Sequence, residues 1–179
     1  MLLDMKNRRH RDLKITVGTA DDRVVLWAHK CKLIAHSDVF YAMFHYDTIE
    51  RETNSVMIED FAASAVKNML IFVYVGSFSL QGLETRDIAD LMRLADKYFI
   101  EALKALCEKE LIARICSANV VDFVELADFC NAMCLHENCF YFMSNNRYGT
   151  LSSFSWQALV NRNPGLASSI MNRLFDVPL

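Results

Sequence analysis

Residues 62–75, AASAVKNMLIFVYV, are apolar nearly all the way round a helical wheel, with Val66, Met69, Leu70, Phe72 and Val73 on successive faces. A helix with no wide polar stripe has to be enclosed by other elements, so a chain that carries one must build a domain around it. Gly76 follows at the place where a left-handed residue commonly ends a helix. The longest nearly uncharged apolar run, residues 68–80, is well short of the roughly 20 residues that cross a bilayer. The helix is therefore expected inside protein, with no membrane segment.

The material to enclose it is present. Of 179 residues 53% are hydrophobic, with 12 Phe and 9 Met against 2 Pro and 5 Gly, which excludes a disordered chain. The length suits one compact domain, or a domain of about 100 to 120 residues with a helical extension. A net charge of −3 lacks the broad positive footprint of nucleic-acid binders, so a protein partner is expected and nucleic acid is not. Cys31, Cys107, Cys116, Cys130, Cys134 and Cys139 all fall in apolar helical patterns, and the N-terminus lacks the apolar core of a signal peptide. Reduced thiols and an intracellular location, cytoplasmic and/or nuclear, are the expectation.

Residues 1–11, MLLDMKNRRHR, place Lys6, Arg8, Arg9 and Arg11 after Leu2, Leu3 and Met5 and read as a solvated tail or a nuclear-import signal. DLKITV at 12–17 alternates, 24–28 is a second β-rich run, and turn residues at 18–22 make the pair a hairpin. Cys31, Ile34 and Ala35 then take helical spacing, and Ser37 and Asp38 offer cap oxygens for a helix over 39–44. A short strand at 56–58 precedes the enclosed helix. From Thr85 the pattern is helical to the end: 87–99, 100–115, a helix opened by Asn119 over 120–130, another over 135–145, and a last pair around Trp156 and Ile170. No sequence repeat, low-complexity segment or long linker interrupts it. The expected fold class is α+β.

Two clusters invite a chemical reading. His29 and Cys31 suggest a base and a nucleophile, but Cys31 has no further partner at a workable spacing. Cys130, Cys134, His136 and Cys139 suggest zinc, yet structural zinc sites usually add a second distant ligand pair, and none follows. No Gly-rich phosphate loop and no carboxylate dyad is present. Neither an enzyme, a metal nor a cofactor is expected.

The series Asp12, Ala28-His29-Lys30, Leu33, Ser37, Phe40, Met43-Phe44, Phe72-Val73-Tyr74-Val75-Gly76 and Ala95-Asp96-Lys97-Tyr98 resembles a BTB (POZ) domain over residues 12–115. Residues 119–175, with Ala127-Asp128 and Ser155-Trp156, resemble the short BACK-type extension of the speckle-type POZ protein group. The implied organisation is a tail at 1–11, a BTB/POZ domain at 12–116 and a BACK-like helical extension at 117–179. In such folds the His-Lys pair lies where strand passes to helix, so His29 is expected to bond backbone at a buried corner.

The resemblance implies an association module, and in many members recruitment of cullin-3 to ubiquitinate a substrate held elsewhere on the chain. The family's hydrophobic-any-Glu motif falls on Thr48-Ile49-Glu50. Glu50 matches; Thr48 offers one methyl where a larger apolar side chain is usual, a difference of about tenfold in affinity at roughly 0.8 kcal/mol per methylene. Tyr46 and Tyr98 are the implied aromatic anchors beside it, within 41–46 and 95–100, and 120–129 would add area. The resemblance also implies a homodimer through Leu2, Leu3, Met5 and the Leu33 region, with a weaker self-contact through Met171. No MATH domain, kelch repeat or zinc finger fits the length, which leaves a fragment and a stand-alone regulator both open. A cullin-3 adaptor and a BTB scaffold or transcription-type regulator that ignores cullins are likewise both open, and the 48–50 segment distinguishes them.

Overall fold

The structure is a computed structural model, and it describes residues 11–19 and 22–176. Its architecture is α+β: a three-stranded sheet with helices, followed by a helical region. Strands β1 (Leu13–Val17), β2 (Val24–Ala28) and β3 (Ser55–Ile58) lie in the order β2-β1-β3. β1 runs antiparallel to β2, with Ile15 opposite Leu26, and parallel to β3, with Ile15 opposite Val56. A parallel partner requires a crossover. Helices α1 (Lys30–Ile34), α2 (Asp38–His45) and α3 (Ile49–Thr53) supply it. Gly18 makes the exit from β1 at φ +91°, and a Cβ there would meet the Asp22 carbonyl oxygen at 2.9 Å, so only glycine serves.

Period-two burial decides which face of the sheet is covered. Leu13, Ile15, Ala28, Val56 and Ile58 are buried together, while Lys14, Val25, Trp27 and Met57 face outward. Helix α4 (Ala63–Val75) is the enclosed helix of the sequence, and Ala65, Val66, Met69, Leu70, Phe72 and Val73 are all buried. It packs against β2, α1 and α5 (Thr85–Lys97). Gly76 caps it at φ +83° and donates its N–H to the Phe72 carbonyl at 2.7 Å.

Two compact units divide between Cys107 and Glu108, inside α6 (Glu101–Ile112). The second contains α7 (Val120–Phe129), α8 (Met133–Asn145), α9 (Arg147–Leu151), α10 (Phe154–Arg162) and α11 (Pro164–Asp176). α7 packs on α8 and α10, and α11 on α8 and α10, around Phe123, Leu135, Met143, Trp156, Leu159, Ile170 and Leu174. Paired guanidinium–carboxylate contacts, Arg162 with Glu125 and Arg173 with Glu137, tie these helices at the surface.

Several local expectations needed adjustment. Residues 49–53 form a short helix, and α9 is an additional turn of helix. Asn119 precedes α7 but makes no side-chain cap bond. Its amide instead accepts from the Cys116 N–H at 2.8 Å and donates to the Arg114 carbonyl at 2.9 Å. No helix among the described residues is long and apolar enough to cross a membrane.

Candidate protein-interaction site

Helix α2 begins where Ser37 accepts the Phe40 N–H at 3.1 Å, and the same hydroxyl donates to the Tyr98 carbonyl. This fixes the start of α2 to the turn after α5. Phe40 stacks on Tyr98 at 4.6 Å between ring centroids and on Phe44 at 6.1 Å, forming an aromatic column along the buried side of α2. The opposite side leaves Tyr41 47% and Tyr46 62% exposed.

After Tyr46 the chain turns directly into α3. Thr48 is the N-cap: its Oγ1 accepts the Arg51 N–H at 3.2 Å and donates to the Met43 carbonyl at 2.5 Å. One hydroxyl thus satisfies a carbonyl in the last turn of one helix and an N–H in the first turn of the next. Arg51 completes the wrap by donating to the His45 carbonyl at 3.1 Å and to Asp47 at 2.8 Å. With Thr48 turned inward, Ile49 stands 75% exposed, and Glu50 is half-buried beside it.

Tyr98 meets Glu50 electrostatically. Burial pushes its hydroxyl up to about 12, and the carboxylates of Asp60 and Glu50 add to the shift. Lys97 sits over the rings of Phe61 and Tyr98, each at 5.6 Å, and its ammonium bonds Asp60 at 2.6 Å. The face at the end of α2, α3 and the turn after α5 therefore carries exposed apolar side chains next to carboxylates. It can grip a protein surface but holds no nucleophile and base in register.

The residues expected to act here divide into three groups. Tyr46 and Ile49 are exposed, Glu50 is half-buried and Thr48 is engaged with backbone. Tyr98 is 4% exposed, so its ring is a core element rather than a surface anchor; stacking on Phe40 holds it inside. The exposed aromatic of that turn is the neighbouring Phe99. Of the self-association residues, Leu33 is fully buried and Met171 half-buried in α11, while Leu2, Leu3 and Met5 lie outside the described residues. Cys130 caps α7 and the chain breaks there, with Asn131 at φ 50°, so Cys130 and Cys134 do not share a helix face. Among the described residues no three His, Cys, Asp or Glu side chains gather in a way that would hold a metal.

A family profile described as the BTB/POZ domain matches residues 3–115. BTB and MATH domain-containing protein 40 of Caenorhabditis elegans is 32% identical over 91% of this chain and 41% of its own length. In Arabidopsis thaliana, the ARM repeat protein interacting with ABF2 is 34% identical over 73% of this chain and 18% of its own length. Armadillo BTB Arabidopsis protein 1, from the same plant, is 35% identical over 74% and 17%. The chain therefore spans less than half of the length of each of these relatives. Among solved structures, the BTB domain of zebrafish PATZ1 aligns with a TM-score of 0.48 at 19% identity, covering 62% of this chain and 81% of that one. With the profile covering most of its length, the chain belongs to the BTB/POZ family.

Proposed function

We propose that this chain, whose BTB/POZ domain is a protein–protein interaction module, works as a homodimeric, non-catalytic adaptor that brings cullin-3 to a substrate for ubiquitination. The observation that carries this reading is the presentation of Ile49, 75% exposed, and Tyr46, 62% exposed, on either side of the Thr48 cap with Glu50 next in line. Exposed apolar side chains beside a carboxylate supply contact area and a charge-assisted acceptor together. Under the same reading the helices from α7 onward are a BACK-like extension, and the protein acts in the cytoplasm or nucleus.

Thr48 supports a second reading. Its side chain is committed to Met43 and Arg51, so the position where cullin binders carry an apolar knob points inward. A BTB scaffold or transcription-type regulator that self-associates and ignores cullins fits that observation.

Calorimetry with the cullin-3 N-terminal region separates the two. The adaptor reading expects low-micromolar binding or better, weakened about tenfold or more by Glu50→Ala with the melting temperature nearly unchanged. Absence of binding at tens of micromolar leaves the scaffold. Light scattering should give about twice the 20.6 kDa chain mass under either reading.

A further inference from the structure

The second unit contains four arginines, Arg114, Arg147, Arg162 and Arg173. Three of them hold carboxylates: Arg114 that of Glu110, Arg162 that of Glu125 and Arg173 that of Glu137. The side chain of Arg147 makes no hydrogen bond or ion pair among the described residues, and its Nε is buried without an acceptor. Buried donors nearly always find a partner, and one that does not calls for a reason.

Two of these guanidiniums lie over phenylalanine rings, which makes the contrast direct. Arg173 sits 3.9 Å from the centroid of Phe140, and Glu137 accepts from both of its terminal nitrogens. Arg147 sits 5.2 Å from the centroid of Phe175, joining α9 to the end of α11, and no carboxylate meets it. A guanidinium laid on a ring keeps its donor fork for a planar acceptor, and a carboxylate fits that fork with two parallel bonds. The chain therefore builds the arrangement of ring, arginine and acid whole at Phe140 and without the acid at Phe175. The side chains around the open fork suit a protein partner: Tyr148, the next residue, is 90% exposed and Phe175 is 60% exposed, and arginine beside exposed aromatics is the composition of interface hot spots. Their base is fixed, since α9 packs on α8 and α10 and its Thr150 is buried, with the carbonyl taking the Ser153 hydroxyl at 2.7 Å. Side chains on such a base lose little freedom when a partner covers them.

We infer that Arg147, Tyr148 and Phe175 form a docking surface for an acidic segment of a partner protein, with a Glu or Asp side chain of that segment in the fork of Arg147. Carboxylate is the group with which the chain answers its other three guanidiniums in this unit, and a net charge of −3 disfavours a nucleic-acid phosphate in its place. The assignment does not depend on cullin binding.

The probe is a library of short peptides with glutamate fixed at the centre and the flanking positions varied, screened on the full chain beside the same library with glutamine at the centre. The strongest glutamate peptide is then titrated into the unmodified chain and into Arg147→Lys, which keeps the charge and removes the fork. The expected result is selection from the glutamate library, a shift of the Arg147 Nε–H resonance when the peptide binds, and affinity about tenfold lower or worse both for the glutamine version and for Arg147→Lys, at an unchanged melting temperature. No selection of glutamate over glutamine overturns the proposal, as does equal affinity in Arg147→Lys. A lower melting temperature in Arg147→Lys overturns it too, because the guanidinium is then a packing group for Phe175. A peptide carrying phosphotyrosine that outcompetes glutamate overturns the carboxylate assignment, and a change of chain mass by light scattering in Arg147→Lys overturns it in favour of a second copy of this chain.

Discussion

The hydroxyl of Tyr74 lies 2.6 Å from Nδ1 of His29 and 2.9 Å from the backbone nitrogen of the same residue. The backbone N–H donates to the tyrosine oxygen, and the same hydroxyl shares a second hydrogen bond with Nδ1, whose direction follows the imidazole tautomer. A single side chain from the last turn of α4 thus fastens the point where β2 passes into α1; the imidazole bonds a side chain at a half-buried corner, where a backbone bond at a buried one was expected. Asp12 fastens the next residue by accepting the Lys30 N–H at 2.8 Å.

Tyr74→Phe removes both bonds and leaves the ring in place. Two half-buried polar groups on His29 then lose their partner, and unfolding in denaturant should show a loss of about 1 to 3 kcal/mol. A change under about 0.5 kcal/mol would mean that water replaces the hydroxyl without penalty.

Alkaline conditions should weaken the fold through three buried acids. Burial pushes the Cys107 and Cys139 thiols from 9.0 up to about 12, and Tyr98 rises from 10.0 to about 12. Raised values mean that the unfolded chain releases these protons first. The stabilisation is whole below about pH 9 and is lost as pH climbs toward 12. Tyr98 alone accounts for roughly 2 to 3 kcal/mol of that fall. Denaturant unfolding at a series of pH values should give a shallower decline for Tyr98→Phe than for the unmodified chain; equal slopes would remove Tyr98 from the account.

The α+β plan was legible because its signals are periodic. Leu13, Ile15 and Val17 alternate onto one face, and α4 is apolar all round, so strand and central helix declared themselves within a few residues of their ends. The site was less legible because its geometry depends on backbone partners distant from any pattern. Thr48 reads as a shortened apolar knob until the Met43 carbonyl is seen to claim its hydroxyl. Tyr98 and Phe99 are adjacent aromatics, and only the left-handed turn decides which faces the core.

Phe72 tests the core. It is 4% exposed and meets the His36 ring edge-on at 6.3 Å. Phe72→Ala should lower stability by about 3 to 5 kcal/mol, the range for an aromatic removed from a packed interior. A loss under about 1 kcal/mol would be incompatible with the enclosed position of α4.

On the adaptor reading, Thr48 brings stability and cullin binding into opposition. Its hydroxyl joins the end of α2 to the start of α3, a helix of only five residues, and Arg51 supplies the other ties across that turn. Thr48→Val keeps the shape and deletes both bonds, which should destabilise the turn by about 1 kcal/mol, whereas Thr48→Ser should leave it nearly intact. Hydrogen exchange at the Arg51 amide reads this locally, and the valine variant should exchange about fivefold faster, the factor that 1 kcal/mol sets at 25 °C. Thr48→Met adds apolar area of the kind cullin binders carry, but an outward side chain abandons the cap. The two effects offset, and the affinity gain for the cullin-3 N-terminal region should fall short of the roughly tenfold that the added methylenes alone would give. A full tenfold gain with unchanged Arg51 exchange would show that the cap contributes nothing and that residue 48 is free to serve as the apolar knob.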